Sequence, residues 1–234
     1  MIPSVTTRCL LNIDLGESSD EPVELYRLAH LANIACGGHA GDVDSMRRAL
    51  AHCAAHGTQA GAHPSYPDRA GFGRSEMELS PADLEWHLRA QCATLAAVGR
   101  ELGVPVAHVK PHGALYHAAD RDPALAAAVI HSAVAALGHG FAIVGPPGGQ
   151  LAAAAQAAGL RFLREGFADR GLLPDGSLVP RGRPGALVTE PARAAEQALR
   201  LVATGRFDTL CVHGDGPTAV QVATAVRTAL DSLR

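Results

Sequence analysis

The sequence is poor in lysine and in aromatic side chains, and it carries no large excess of charge. Only Lys110 among its 20 basic residues is a lysine, and the formal net charge is −3. A chain without a basic excess lacks the attraction that brings proteins to nucleic acids or anionic membranes. Aromatic residues make up only 4%, which argues against a platform for stacking single-stranded bases. We therefore expect neither a nucleic acid nor a membrane as partner.

Paired cysteines and long apolar runs are also missing. The five cysteines are scattered and form no CxxC pair: Cys9, Cys36, Cys53, Cys92 and Cys211. An odd number of scattered cysteines predicts reduced thiols and a cytoplasmic location. The first residues lack the basic start and apolar run of a signal peptide, and no segment approaches the roughly 18 to 20 apolar residues of a membrane span. We read Cys36 as a small buried residue rather than a nucleophile.

Strand-like runs alternate with helix-like runs along the whole chain. The 234 residues, 47% of them apolar, suffice for one domain, which we assign to residues 1–234. About seven β/α units emerge, and such alternation predicts parallel strands joined by helices. The strand-like runs are 8–16, 33–42, 58–66, 106–113, 141–145, 160–167 and 209–214. The helix-like runs are 21–32, 42–57, 80–103, 122–138, 149–159, 190–205 and 216–233.

Polar residues concentrate where the strand-like runs end. The turns that lead from helices into strands carry fewer of them. In α/β proteins ligands bind at the carboxyl ends of the strands. Each residue alone would also suit a turn or a helix cap, but together they predict a site. They are Asn12, Asp14, Glu17, Asn33, His39, Asp42, His63, Ser65, Tyr66, His112, Tyr116, Glu165, Asp169, Arg170, His213 and Asp215.

The lone lysine lies in the strand-like run "HVKPHG". Alternate residues of a strand share a face, so His108, Lys110 and His112 point the same way, and we expect that way to be inward. An inward lysine can serve as a compact cation or, when desolvated, as a base. The alternative is a lysine that only reaches water at a barrel rim.

Two further segments lack regular periodicity. Residues 166–186 form an irregular stretch, and loops of that length in compact domains are usually functional or disordered. We interpret this stretch as a lid or a docking surface. The "GPPGGQ" run at 145–150 could seat an anion on backbone N–H groups, although a tight turn is the simpler interpretation.

Nine motifs in order along the chain resemble the LamB/YcsF family. They are "NIDLGE", "ANIACGGHAGD", "GAHPSYPD", "GFGR", "HVKPHGALY", "EGFADR", "DGSLVPR", "PGALV" and "CVHGD". The resemblance implies an α/β fold, a (β/α)7-type parallel barrel related to glycoside hydrolase and deacetylase barrels. It also implies ring-opening of 5-oxo-L-proline to L-glutamate, with ATP and Mg²⁺ as co-substrate, together with partner subunits B and C. The sequence leaves open whether the chain also forms a homo-oligomer.

The chain departs from the family pattern in two places. "LGESSDEPVELY" is short and lacks the usual glycine- and aromatic-containing stretch, and Gly38 replaces a usual phenylalanine. Either change could widen the mouth of the site or alter substrate choice.

The chemistry of lactam opening fits the residues available. A five-membered lactam is a poor electrophile, so its hydrolysis needs an activated oxygen, a general base and a cation. We assign catalysis to Asp14, Glu17, His39, Lys110 and His112, and expect Asp14 to raise the pKa of His112. Substrate binding is assigned to Asn12, Asn33, His63, Ser65, Tyr66, Arg74, Tyr116, Glu165, Asp169, Arg170, His213 and Asp215. The chain lacks a GxxxxGK[ST] loop, which suggests that partner subunits handle ATP.

Two other functions stay open at this point. A metal-dependent deacetylase or carbohydrate-type hydrolase could use Asp14, His39, His63, His112 and His213 as ligands. Their spacings are long, and two strand histidines four residues apart lie about 13 Å from each other, so we expect no obligatory metal. A non-catalytic ligand-binding subunit is the other alternative, and the density of acids, bases and cations argues against it.

Overall fold

A computed structural model describes residues 9–233 and shows a closed barrel of seven parallel strands in sequential order. This confirms the predicted α/β class and its seven repeating units. The strands are β1 (Leu10–Leu15), β2 (Leu31–Ala35), β3 (Gln59–His63), β4 (Val106–Val109), β5 (Ala142–Gly145), β6 (Arg161–Phe167) and β7 (Thr209–His213).

Within residues 9–233, eight helices connect the strands and surround the barrel. They are α1 (Val23–Leu28), α2 (Val43–His56), α3 (Pro81–Leu102), α4 (Gly113–Arg121), α5 (Pro123–Leu137), α6 (Gln150–Ala157), α7 (Pro191–Ala203) and α8 (Ala219–Asp231). Among residues 9–233 we find none with both the length and the apolar character that a bilayer crossing requires.

Local sequence signals set most helix ends. Asp42 and Ser45 form a reciprocal capping box at the start of α2, and Gly57 ends that helix with a φ of 69°. Ser80 caps α3 directly before Pro81, as predicted. Such residues satisfy backbone groups that a helix end leaves free, and glycine reaches the left-handed conformation without a Cβ clash.

The apolar core has two parts. The larger part lies between the strands and the surrounding helices. The smaller part fills the barrel interior near the amino-terminal end, where Leu31, Ala142, Val144 and Leu163 pack with Leu10. The inward side chains of Asp14, Lys110 and Glu165 lie beyond this apolar plug, toward the carboxyl ends of their strands.

One predicted boundary and one missing helix differ from the structure, for different reasons. The helix predicted over 21–32 ends at Leu28, because Leu31 and Ala32 belong to β2 and Leu31 packs inside the barrel. Apolar residues continue across that boundary, so periodicity alone cannot locate the change. Helix α4 was not predicted, since it is only nine residues long and begins at Gly113 without a side-chain cap.

Position 61 controls how tightly β3 and β4 pair. Gly61 lies opposite His108 in the register, and a Cβ built on Gly61 would fall 2.1 Å from His108 Nε2. Since the imidazole is buried and hydrogen-bonded to Asn33, it cannot move aside freely. The absence of a side chain at position 61 is therefore a requirement for placing His108 inside the barrel.

We expect Gly61→Ala to lower the free energy of unfolding by about 1–3 kcal/mol, the usual cost of overpacking a core. The measurement is the urea midpoint at constant m-value. Gly216→Ala is the matched control, because open space surrounds Gly216 and the change should stay within about 0.5 kcal/mol. Equal midpoints for the two variants would contradict the packing argument.

Candidate active site

A cavity of about 1050 Å³ opens at the carboxyl end of the strands. Among the predicted site residues, Asp14, His63, Arg74, Lys110, His112, Tyr116, Glu165, Arg170 and His213 line it. They come from every part of the chain, and the closed barrel brings them to one mouth. These nine residues therefore do meet at the carboxyl end of the strands, and their use as a site stays a prediction.

Lys110 points inward, as predicted, and lies among acceptors. Its Nζ is 2.8 Å from Asp14 Oδ1, 3.0 Å from Glu165 Oε1 and 3.2 Å from Asn12 Oδ1. The Cys211 sulfur is 3.1 Å away on the remaining side. Only 2% of the lysine is exposed, so it is not a rim residue that reaches out to water.

Neighbouring charges fix the protonation of this group. Burial alone would lower the pKa of Lys110, but Asp14, Cys211 and Glu165 together raise the pKa well above its usual value. Burial alone would raise the pKa of Asp14, but the neighbouring His63 and Lys110 hold that pKa well below its usual range. At neutral pH Lys110 is therefore a fixed cation and not a base, and Asp14 is a carboxylate.

A polar floor supports the lysine from below. Asn33 donates to both Asn12 Oδ1 and Asp14 Oδ1 at 2.8 Å, and Asn12 donates to Thr209 Oγ1 at 2.9 Å. His108 Nε2 lies 2.9 Å from Asn33 Oδ1. Burial and Lys110 lower the pKa of His108 to about 3, so this imidazole is neutral and donates from Nε2.

An acid and an imidazole form a second pair beside the floor. His213 Nδ1 is 2.9 Å from Asp169 Oδ2, which also accepts from the His213 backbone N–H. Burial would lower the pKa of His213, but the Asp169 charge and hydrogen bond raise it. His213 therefore adds positive character to the cavity wall.

Three further histidines cluster beside Asp14. His63 Nε2 lies 2.9 Å from His112 Nδ1 and 3.4 Å from Asp14 Oδ2. The rings of His39 and His112 stack with centroids 3.7 Å apart, and His39 Nε2 is 3.1 Å from Glu17 Oε1. Burial lowers the pKa of His39 to about 4, and burial with nearby Asp14 raises the pKa of Glu17 to about 7.

A short loop closes over this histidine cluster. The Phe72 ring contacts His39 and His112 edge-on, and the Phe72 carbonyl lies 3.0 Å from His112 Nε2. Phe72 has a φ of 54°, a conformation that costs about 1–3 kcal/mol for a bulky residue. Outside the loop, Arg74 covers the Phe72 ring and pairs with Asp215 at 3.0 Å. The strained backbone thus serves to aim one carbonyl and one ring at His112.

The other predicted site residues do not line the cavity, and they include Glu17 and His39, which were assigned to catalysis. Asn12 and Asn33 lie in the floor, and Asp169 supports His213 from behind. Ser65 and Tyr66 are buried in the turn after β3, which Gln91 holds by two hydrogen bonds to Ser65. Asp215 lies on the rim with Arg74, and Glu17 and His39 lie behind the covering loop.

The irregular stretch lies at the same end as the cavity, as the lid interpretation requires. Its first two residues belong to β6, and the rest folds back through antiparallel bridges at Arg170–Leu187 and Leu172–Leu178. Arg170 holds it by donating to Ala186 O at 2.9 Å and Val179 O at 2.7 Å. Residues 175–181 form part of the cavity wall. A docking role for the stretch stays a prediction.

Three details refine the sequence interpretation. The Asp14 charge does raise the pKa of His112, as expected, but burial, His63 and His39 lower that pKa more strongly, so the net shift is downward. Gly38 does not widen the mouth, since a Cβ there would fall 2.4 Å from both Gln91 Oε1 and Ser65 Oγ. The Asp120 carboxylate lies against Gly149 at the start of α6, which favours the simpler interpretation of "GPPGGQ" as a tight turn.

Cys211 and Phe72 belong to the site, and sequence reasoning missed them. Alternation along β7 places Thr209, Cys211 and His213 on one face, so the rule that located Lys110 would have located Cys211 too. Phe72 offered no such signal, because its place depends on a loop that crosses from β3 to α3.

Comparison with known proteins gives a consistent family pattern. A family model described as LamB/YcsF family matches residues 10–233. The chain is 47% identical to the A-type subunit of 5-oxoprolinase from Methylococcus capsulatus, over 93% of this chain and 90% of that protein. It is 42% identical to the protein of the same name in Thermus thermophilus, over 94% and 95% of the two chains.

Two solved structures resemble the fold. A lactam utilization protein from Thermus thermophilus superposes with a TM-score of 0.88 at 40% identity, covering 97% of each chain. A family 4 carbohydrate esterase from Streptomyces lividans superposes with a TM-score of 0.52 at 11% identity, over 97% of this chain and 89% of that one. The second likeness is one of fold alone.

Removing the lysine charge should destabilise the fold in a pH-dependent way. We expect Lys110→Met to lower the free energy of unfolding by about 3–5 kcal/mol near neutral pH, because buried carboxylates lose their cation. The depressed pKa of folded Asp14 means that its stabilisation is present above the unfolded value of about 3.9 and is lost as pH falls through the folded value. The deficit should therefore shrink on acidification below about pH 4.

Urea titrations at neutral and acidic pH measure this deficit. Arg47→Met provides the matched control, since Arg47 pairs with Glu101 in solvent and such pairs contribute about 0–1 kcal/mol. A Lys110→Met deficit as small as that of Arg47→Met would show that the buried network is not held by its cation.

Proposed function

The chain belongs to the LamB/YcsF family, and we propose that it opens a lactam ring as the A-type subunit of 5-oxoprolinase. The relatives that carry this name match more than nine-tenths of the chain. In the proposed reaction 5-oxo-L-proline, ATP and two water molecules give L-glutamate, ADP and phosphate. Since the resemblance covers the barrel and all the motifs at its mouth, the whole domain takes part in the proposal.

The observation that carries the proposal is a fixed buried cation paired with a carboxylate at the cavity wall. Lys110 and Glu165 both line the cavity, 3.0 Å apart. Beyond that ion pair, the buried Glu165 carboxylate interacts with the Tyr116 hydroxyl, which also lines the cavity. These two partners leave lone pairs of the carboxylate unused, and buried polar atoms with unused bonding capacity are costly. A lactam offers an N–H donor and a carbonyl acceptor that would satisfy groups of this kind.

Each residue then has a defined part in opening the ring. Asp14 Oδ2 faces the cavity 3.4 Å from His63, so it orients the attacking water. The proton of that water passes through the group of Asp14, His63 and His112 to the ring nitrogen that leaves. Lys110 stabilises the negative charge that develops on the lactam oxygen or its phosphorylated form. His213, held cationic in character by Asp169, and Arg170 attract the substrate carboxylate.

We assign ATP, with Mg²⁺, to the complex and not to this chain alone. The sequence has no GxxxxGK[ST] loop, and the helix start after "GPPGGQ" already faces Asp120. Phosphorylation of the lactam oxygen would therefore be completed with partner subunits B and C, in the cytoplasm. The relatives are named as one lettered member of a set of subunits, which supports partners of this kind.

We expect Lys110→Arg to lower lactam opening about a hundredfold, the scale for losing one preorganised charge-stabilising donor. A planar guanidinium keeps the charge but cannot present a compact point to acceptors on several sides. The measurement is release of glutamate and phosphate from 5-oxoproline and ATP with co-expressed subunits B and C. Arg47→Lys, the reverse exchange at the surface, should retain activity. Normal turnover in Lys110→Arg would contradict the proposed role.

Asp14 and His112 should act as parts of one unit, because His63 lies between them at 3.4 Å and 2.9 Å. We expect Asp14→Asn and His112→Ala each to remove most activity, and the double variant to be little worse than either. Asp44→Asn, on the exposed start of α2, is the control for the amide exchange. Fold losses that multiply in the double variant would separate the two residues.

A further inference from the structure

Three electron-pair donors converge beside Asp14 at the edge of the cavity. We propose that His63, His112 and Glu17 bind one divalent transition-metal ion of the Zn²⁺ type, through His63 Nε2, His112 Nδ1 and Glu17 Oε1. These atoms, with one from His39, all lie within 4.8 Å of one another. The site goes beyond the lactam reaction, since metal binding needs neither lactam nor ATP.

Backbone carbonyls fix the tautomers of both histidines. His63 Nδ1 lies 2.7 Å from the Lys110 carbonyl, and His112 Nε2 lies 3.0 Å from the Phe72 carbonyl. A carbonyl can only accept, so each of those nitrogens carries the proton. In the neutral rings the other nitrogen of each histidine then presents a lone pair to the cluster.

The lone pairs of His63 Nε2 and His112 Nδ1 face each other, and neither nitrogen carries a hydrogen that could bond to the other. His63 Nε2 and His112 Nδ1 are 2.9 Å apart, and Asp14 Oδ2 approaches His63 Nε2 at 3.4 Å. Three acceptors this close repel unless a cation lies among them. One shared proton can bridge only a single pair, whereas a metal ion can accept lone pairs from several donors at once.

Glu17 supplies the third donor and has its own support. Its Oε1 is 3.7 Å from His112 Nδ1, and His39 Nε2 lies 3.1 Å from the same oxygen. Because the His39 ring is stacked on His112, it cannot aim a lone pair at an ion in the plane of the His112 ring. His39 therefore donates its Nε2–H to Glu17 and orients the carboxylate.

Both the spacing and the surroundings fit a zinc-type ion. Metal–ligand bonds of about 2.0–2.1 Å in a tetrahedron place ligand atoms roughly 3.3 Å apart. The observed separations of 2.9 Å and 3.7 Å lie on either side of that value. Each donor is also held by an outer partner, namely the Lys110 carbonyl, the Phe72 carbonyl and His39, as is usual for metal ligands.

The arrangement leaves one coordination position open. His63 and His112 line the cavity together with Asp14, and Phe72 closes the opposite side. Three protein ligands with one open position are typical of catalytic zinc sites, where the ion activates water or polarises a carbonyl. The expectation of no obligatory metal, stated from the sequence, stays untested, and the same experiment decides between it and this site.

The test is direct metal binding by the purified chain without substrate or partners. Protein stripped with a chelator is dialysed against micromolar Zn²⁺, and bound zinc is measured by mass spectrometry. We expect one zinc per chain, and a rise in thermal midpoint that follows the free zinc concentration. Substoichiometric zinc with no midpoint shift would overturn the proposal and leave a shared proton in the cluster.

Variants locate the ion. His112→Gln and Glu17→Gln should each weaken zinc binding at least tenfold, while the exposed His56→Gln, on α2, should bind as wild type does. Binding unchanged in both cluster variants would overturn the assignment. If a variant fails to fold, Co²⁺ bound to wild type decides instead. Visible absorption of a four- or five-coordinate ion supports the site, and the weak spectrum of a fully hydrated ion overturns it.

The result is separable from the lactam proposal. If His63, His112 and Glu17 bind zinc but the reconstituted complex releases no glutamate, only the lactam proposal is rejected. Glutamate release by a chain that binds no zinc would reject only the metal site.

Discussion

One buried ammonium group holds the upper barrel together. Inside a closed barrel of this size, inward carboxylates from β1 and β6 lie within 3.0 Å of a single nitrogen. Two such carboxylates without a cation would repel each other and lack solvation, which is among the costliest arrangements in a protein. The lysine charge offsets the repulsion between the two carboxylates, and the carboxylates in turn keep the lysine protonated. Lysine suits the position because its charge is compact and its donors rotate, whereas arginine, used elsewhere in the chain, is planar.

The floor below depends on that ion pair, and the fold accommodates it at a cost in hydrophobic packing. Asn12, Asn33, Thr209 and His108 occupy interior positions that apolar side chains would fill in a barrel built for stability alone. The apolar plug within the barrel is small, formed around Leu31 by Ala142, Val144, Leu163 and Leu10. Most of the apolar burial instead lies outside, between strands and helices. The barrel wall is therefore stabilised from outside, which frees its interior for polar chemistry.

Much of this could be predicted from sequence, because the signals are local. Alternation of strands and helices predicted parallel strands joined by helices, and the family resemblance implied that they close into a barrel. Capping residues located α2 and α3, and the two-residue period of a strand placed Lys110 inward. The end of α1 was not located, since apolar residues continue into β2, and α4 was missed because it is short and lacks a side-chain cap. The sequence also could not show which of the polar residues line the cavity and which lie behind it. Whether His63 meets His112, or Ser65 meets Gln91, depends on loops that connect distant parts of the chain, and no local period encodes their paths.

Asp14 contacts both the Lys110 network and the histidine cluster, and each of its two carboxylate oxygens contacts a different one. Oδ1 accepts from Lys110 and Asn33 at 2.8 Å each, so it belongs to the ion pair and the floor. Oδ2 faces His63 at 3.4 Å and the cavity. A change in charge among the histidines therefore acts on the same carboxylate that neutralises the lysine. Asp14 lies near the end of β1 and is paired in register with both Asn33 of β2 and His213 of β7. Closure of the barrel therefore sets the position of the Asp14 carboxylate. The lysine network and the histidine cluster thus form one electrostatic unit, built at the seam where the first strand meets the last.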